Sequence, residues 1–142
     1  MFRHARYLAL FIAIFSGFIF ADQITLKNGD RITGTVVKSD GKTLVLHTDA
    51  AGDITLKFDA VQEIKTDQAL HVSTKDGKTA VGPVTTTDGK LEVATKAGTT
   101  VEASKADVTV IRNDAEEAAY YKSQHPTLLQ GWNGGSIFRR PL

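Results

Sequence analysis

Three histidines downstream of the leader-like start, His47, His71 and His125, are the first residues to test for metal binding or acid-base chemistry. A zinc-binding helix presents two histidines one turn apart; these three fall on separate predicted elements and read as edge or surface side chains. Four serines, Ser39, Ser73, Ser104 and Ser123, lack the strand-to-helix turn of a nucleophile elbow. No glycine-rich segment opens a helix after a strand, the setting that phosphate binding uses. Asp59 and Asp107 end predicted strands in Phe58-Asp59-Ala60-Val61 and Lys105-Ala106-Asp107-Val108, one position out of register. Carboxylates so placed are expected to accept backbone N–H groups of a tight turn. Asp49 and Asp53 flank a turn, but calcium needs several more oxygens at set intervals. These residues point to no catalytic centre, cofactor or metal site, so function must be sought in architecture and partners.

The architecture is written twice. Lys27-Asn28-Gly29-Asp30, Gly34 and Ser39-Asp40-Gly41-Lys42 return 48 residues on as Lys75-Asp76-Gly77-Lys78, Gly82 and Thr87-Asp88-Gly89-Lys90. After one deletion, placed by this matching near Thr43, the offset is 47, and Leu44, Leu46, Ile54, Val61 and Ile64 fall on Leu91, Val93, Val101, Val108 and Ile111. Apolar positions are kept while surface residues change, which marks an internal duplication.

In each unit, short alternating segments are bounded by turn residues. The first gives strands at 24–26, 31–39, 43–47, 54–58 and 62–65; the second at 71–74, 79–86, 91–95, 100–104 and 108–112. Asn28-Gly29, Asp40-Gly41, Asp76-Gly77 and Asp88-Gly89 supply residues that tolerate positive φ, as hairpin turns require. Gly34 and Gly82 interrupt the longest strand of each unit, where glycine is costly unless it makes a bulge or a barrel corner. Pro83 has no N–H for a ladder and predicts an edge or bulge. The second core is thinner: Ala103 and Lys105 stand where the first unit has Leu56 and Phe58. On apolar burial, that half is expected to be less stable by about a few kcal/mol.

The ends differ from the body. Arg3, His4 and Arg6 precede an apolar run from Tyr7 to Phe20 and then Ala21, the order of a secretory signal. The run is shorter than the ~20 residues that cross hydrocarbon, so the expectation is export with cleavage after Ala21 and no span in the mature chain. Loss of Arg3 and Arg6 from 17 Lys plus Arg, against 16 Asp plus Glu, leaves a formal charge of minus one with both signs interspersed. No basic stripe suits nucleic acid. With zero cysteines, an exported fold depends on packing and backbone hydrogen bonds. Each unit of about 45 residues is near the lower limit for folding alone, so the halves are expected to support each other. Beyond Arg112, Asn113 with Glu116 predicts a capped helix over 114–124. Pro126 then opens a short turn through Leu128 and Leu129, before Gly131-Trp132-Asn133-Gly134-Gly135 ends regular structure.

Within one unit, Leu26, Asn28-Gly29, Gly34, Asp40 and Leu44-Val45-Leu46 resemble the Sm-like variety of small SH3-type barrel. The whole arrangement of signal, "ADQITLKNGDRITGTVVKSDGKTLVL", second unit and "AEEAAYYKSQHPTLLQGWNGG" resembles the amino-terminal region of the YdiY-like family of salt-induced outer-membrane proteins, a group of unknown function. The resemblance covers roughly Ala21 to Gly135. In that family a long transmembrane barrel usually follows, whereas here Ser-Ile-Phe-Arg-Arg-Pro-Leu closes the chain. A closed barrel needs at least eight strands of about nine to eleven residues, so a detached periplasmic portion or a truncated gene product is expected.

The expected fold is therefore all-β: two tandem SH3/Sm-like five-stranded small barrels, followed by a short C-terminal α-helix. Residues 1–21 are the signal, 22–66 and 67–112 the two repeats, 113–130 helical, and 131–142 a disordered tail. The expected role is a noncatalytic periplasmic interaction or adaptor module, with a protein partner or self-association through an apolar end at Leu128, Leu129 and Trp132. The alternative class is an Sm-like nucleic-acid-binding module. It meets an unfavourable composition, since Phe58 is the only aromatic side chain between Asp22 and Arg112 that bases could stack on.

Overall fold

The first turn, Asn28-Gly29, folds β1 (Asp22–Leu26) back on β2 (Arg31–Ser39), and the pattern continues to the end of the second repeat. The structure, a computed structural model, describes residues 21–125. There follow β3 (Thr43–Thr48), β4 (Gly52–Lys57), β5 (Val61–Lys65), β6 (Leu70–Thr74), β7 (Thr79–Gly82), β8 (Val84–Thr87), β9 (Lys90–Ala94), β10 (Thr100–Ser104) and β11 (Val108–Arg112). Short 3₁₀ turns, Phe58–Ala60 and Lys105–Asp107, precede β5 and β11, and one helix, α1 (Asp114–Gln124), closes the described chain. Residues 1–20 of the expected signal and residues 126–142, with Leu128, Leu129 and Trp132, lie outside the described residues.

The chain is mostly strand with one short helix, as the alternation predicts. All strand pairs are antiparallel and join in one 11-stranded, nearly closed, barrel-like sheet, ordered β10-β9-β8-β5-β1-β2-β11-β6-β7, with β3 and then β4 branching from β2. The expectation of two barrels in simple tandem is thus met only in its coarser part, because the halves share strands across their boundary. Arg112 of β11 lies opposite Lys38 of β2, and Lys65 of β5 lies opposite Thr85 of β8. Since 47 residues separate Lys38 from Thr85 and Lys65 from Arg112, the two junctions are one pairing used reciprocally.

The sheet also corrects the placement of the deletion. β2 has a bulge between Val36 and Lys38, whereas β8 runs in regular register against β9. Val36 faces Leu46 as Val84 faces Val93, and Lys38 faces Val45 as Thr85 faces Glu92. The extra residue of the first half is therefore the bulged Val37, and the change of offset falls there instead of near Thr43. Structurally Gly41 (φ 80°) then coincides with Asp88 (φ 50°), which explains why a non-glycine residue takes positive φ. Gly89 follows with φ 78°, giving the two positive φ values of a type I′ hairpin.

At Gly34 and Gly82, read from the sequence as bulges or corners, close approach of another backbone is what demands glycine. A Cβ at Gly34 would collide with the carbonyl oxygen of His47, and one at Gly82 with that of Ala94. At Pro83 the long strand of the second half splits into β7 and β8, while the Pro83 carbonyl still accepts from Ala94 N at 3.0 Å. Beyond each corner the strand changes neighbours, leaving the N–H of buried Val36 or Val84 in need of an acceptor. The halves solve this differently: the Asp22 carboxylate accepts from Val36 N at 2.8 Å, and the Thr66 hydroxyl accepts from Val84 N at 2.9 Å.

One core serves both halves. Ile24, Val36, Leu44, Leu46, Val61 and Ile64 are buried with their counterparts Val72, Val84, Leu91, Val93, Val108 and Ile111. The helix forms where the capping pattern places it, with Asn113 Oδ1 accepting from Glu116 N at 2.9 Å. It buries no residue in the core and is held by polar contacts. Lys38–Glu116 (3.2 Å), Arg112–Glu117 (3.1 Å) and His71–Asp114 (2.8 Å) fasten it to the sheet, and the Arg112 guanidinium lies 3.9 Å above the Tyr120 ring.

Candidate functional site: a cleft in the second half

The 47- to 48-residue correspondence in sequence supplies an internal reference for the site. In the first half, Leu26, Ile32, Ile54 and Leu56 pack against the buried core. Their counterparts are Thr74, Ala80, Val101 and Ala103, which lose methyl and methylene groups at every position. The space so vacated is a cleft of about 400 Å³ between the β6–β7 and β9–β10 hairpins. Val72, Ala80, Val93, Val101 and Ala103 form apolar walls, Thr74 and Ser104 add hydroxyls, and Lys75, Asp76, Lys78, Glu102 and Asp107 complete the lining with exposed charges.

The electrostatics of the rim come from the β6–β7 turn. Asp76 accepts the Thr74 hydroxyl and pairs with Lys78 Nζ at 2.9 Å. The Thr74 hydrogen bond, with Lys78 adding to it, holds the Asp76 carboxyl down at about 2, and Asp76 in turn raises the Lys78 ammonium above its usual value. The first half builds the same turn from neutral and acidic partners: Asn28 Nδ2 donates to Asp30 Oδ2 at 2.8 Å, and Asn28 Oδ1 accepts from Asp30 N at 3.0 Å. Behind the cleft, Lys105 stands where the first half has Phe58. Its ammonium donates to the Val61 carbonyl and lies 4.9 Å from the centre of the Phe58 ring. Burial pushes the Lys105 ammonium below its usual value, with Lys27 adding to the effect and Asp59 opposing it.

The other residues singled out by sequence disperse. His47 on β3 pairs with Asp53 at 2.6 Å, His71 on β6 bonds Asp114, and His125 caps the helix through its N–H to the Tyr121 carbonyl. Ser39 is buried and donates to the Thr43 carbonyl at 2.6 Å; Ser73 bonds Thr79, and Ser123 donates to the Tyr120 carbonyl. Only Ser104 and Asp107 of these candidates reach the cleft, and no histidine lines it. Asp59 and Asp107 do not end strands as expected: each lies on a 3₁₀ turn past the last residue of β4 or β10. The carbonyls of Ala60 and Asp107 make equivalent bonds, each accepting a lysine N–H, from Lys27 and Lys75, at 2.9 Å. Among the described residues, no group of three or more His, Cys, Asp or Glu is placed to hold a metal ion, and no helix is long and apolar enough to cross a membrane.

The turn residues act as turns. Gly29 (φ 91°) and Gly77 (φ 80°) donate to the carbonyls of Leu26 and Thr74, closing equivalent hairpins. The Asp40 carboxylate accepts from Thr43 N at 2.6 Å and Lys42 N at 2.9 Å, which lowers its pKa. Sequence reasoning missed the buried carboxylate Asp22. It is 3 % exposed, and besides Val36 N it accepts from Gln68 Nε2 at 2.6 Å and Asp67 N at 3.3 Å, tying β1 and β2 to the link between halves. The alternation held the signal: Asp22 precedes Ile24 on the buried face of β1, and its counterpart Leu70 is fully buried.

Compared with protein-family models, curated proteins and solved structures, the chain matches none.

Proposed function

We propose that the chain is an exported, noncatalytic interaction module of the cell envelope, the periplasmic part of a YdiY-like arrangement. Each half is on this reading a small SH3-type barrel, and the two are locked together by strands that cross between them. The observation that carries the binding role is the cleft of about 400 Å³, apolar on its walls and charged at its rim, formed where the first half carries the larger Leu26, Ile32, Ile54 and Leu56. Sites for other molecules are characteristically concave, mostly apolar and edged with a few polar groups. Export is supported by the leader pattern and by β1, which begins at Asp22, the residue that cleavage after Ala21 would make the first of the mature chain. An Sm-like nucleic-acid role draws no support from Phe58, which is 2 % exposed and so offers no face for stacking.

The test is fractionation of cells making the full chain, with the amino terminus read by mass spectrometry. Recovery from the periplasm of a chain starting at Asp22 is expected. An uncleaved chain in the cytosol would overturn the envelope assignment.

A further inference from the structure

Beside the cleft lies an open strand edge. β10 ends the strand order and pairs with β9 alone, so among the described residues one side of its backbone has no strand partner. Along β10 the half-buried Val101 and Ala103 line the cleft and alternate with exposed Thr100, Glu102 and Ser104. A strand added at that edge would continue the alternation and bring every second side chain to the cleft.

The first half tells what the cleft lacks. Leu26, Ile32 and Leu56 are replaced by Thr74, Ala80 and Ala103, so the missing volume is that of branched aliphatic groups. Its charges balance closely. Asp76 pairs with Lys78 at 2.9 Å and Glu102 with Lys90 at 3.7 Å; Lys75 and Asp107, of opposite sign, join no ion pair among the described residues. A polyphosphate or a polycation meets no net opposite charge there, whereas an uncharged aliphatic side chain meets walls of its own chemistry.

We propose that the cleft docks an extended segment of a protein partner, laid along β10 as an added strand, with a leucine or isoleucine side chain filling the space between Ala80 and Ala103. The proposal rests on the interaction-module reading and supplies the chemistry of its partner. β4, the matching strand of the first half, also pairs on one side only. It carries the larger Ile54 and Leu56 where β10 carries Val101 and Ala103, all four packed against the core, and therefore serves as the internal control.

The test titrates the purified full chain with the blocked peptide acetyl-Gln-Leu-Thr-Ile-Thr-Leu-Gln-amide, followed by amide NMR and calorimetry. A second peptide has alanine in place of the leucines and isoleucine. Binding of the first peptide is expected to shift β10 amides and those of Val72, Ala80 and Val93, while β4 stays unchanged. The alanine peptide and the Ala103→Leu variant should each weaken binding by at least about tenfold. Should Ala103→Leu disturb the sheet, Ala80→Ile blocks the cleft from the opposite wall with the same expected loss. No binding at millimolar peptide, equal binding of the alanine peptide, undiminished binding by a folded blocked variant, or shifts centred on β4 would each overturn the proposal. Fractionation judges export separately, so a failed titration and a cytosolic chain are distinguishable failures.

Discussion

Phe58 opens the first 3₁₀ turn and is 2 % exposed in the core; Lys105 opens the second and sends its ammonium back across to the Val61 carbonyl and the Phe58 ring. The same backbone position thus fills one half and, in its duplicate, helps to join the halves. A half that shares its sheet and core with the other can do without an aromatic core residue, because burial elsewhere in the single core compensates. The largest expected effect follows from this contrast. Phe58→Ala removes a buried ring and should cost about 3–5 kcal/mol in urea unfolding. Lys105→Met keeps the unbranched stem and loses a partly exposed charged hydrogen bond, so about 1 kcal/mol is expected. Equal losses at the two positions would mean that Lys105 is as much a core residue as Phe58.

The corner caps sharpen the comparison at the next level. Val36 N bonds a buried carboxylate in the first half, and Val84 N a hydroxyl in the second. Asp22→Ala strands Val36 N, takes the acceptor from Asp67 N and leaves Gln68 Nε2 only its bond to the Val36 carbonyl, with an expected cost of about 3 kcal/mol, since hydrogen bonds to charged groups are the stronger ones. Thr66→Val leaves Val84 N alone and should cost about 1–2 kcal/mol. Denaturation of both variants gives the ratio. Similar costs would show that the three-donor network around Asp22 is worth no more than a single hydroxyl.

Much of this plan was legible in the residues. Turn glycines, apolar alternation and the Asn113 cap place the strands to within a residue or two, and α1 falls on the expected span. The Leu56–Ala103 and Phe58–Lys105 substitutions show in advance which half brings smaller apolar side chains to the single core. What escaped depends on long-range pairing. The sequence match aligned Asp40-Gly41 with Asp88-Gly89, because a bulge such as that at Val37 is invisible until a partner strand exposes the extra residue. The joining of β2 to β11 and of β5 to β8 left no local mark either, since both are ordinary amphipathic segments. Asp22 read as a terminal residue because only the fold brings Gln68 and Val36 to it. The cleft needed both kinds of information: side-chain loss read from the repeat, and strand geometry to place Thr74, Ala80 and Ala103 around one space.

The crossing strands create an asymmetry in charge. Lys65 lies opposite the neutral Thr85, but Arg112 lies opposite Lys38, a like-charge cross-strand pair that is destabilising by itself. The helix answers with Glu116 on Lys38 and Glu117 on Arg112, the latter pair largely shielded from solvent. Glu116→Gln with Glu117→Gln should therefore cost about 1 kcal/mol at low salt and less in high salt, where the repulsion is screened. The matching change at the other junction, Lys65→Gln, should be near neutral. A salt-independent loss in the glutamate variant would assign the effect to packing of α1.

The smallest expected effect separates the two equivalent turns, Asn28–Asp30 and Asp76–Lys78, by acid titration. Asp76 has its folded-state pKa lowered from 3.8 to about 2, first by the Thr74 hydroxyl and then by Lys78. A carboxylate lowered on folding contributes stability that is fully present above its ordinary value and is lost as pH falls through the folded one. Its contribution thus persists at neutral pH and fades between about pH 4 and pH 2. Carbon-detected NMR of the Asp76 carboxyl should show a midpoint near 2. In Thr74→Val, which removes the leading hydrogen bond without touching the ion pair, the midpoint should move up toward 3.8. Lys78→Met should raise it too, because the ammonium lowers it both as a hydrogen-bond donor and as a charge; the hydroxyl is the largest single cause, so Thr74→Val is expected to move it at least as far as loss of the Lys78 hydrogen bond does. The reverse order would make the ion pair the main organiser of the cleft's rim, and an unmoved midpoint in both variants would show the turn to be held by its backbone, as its glycine alone would hold it.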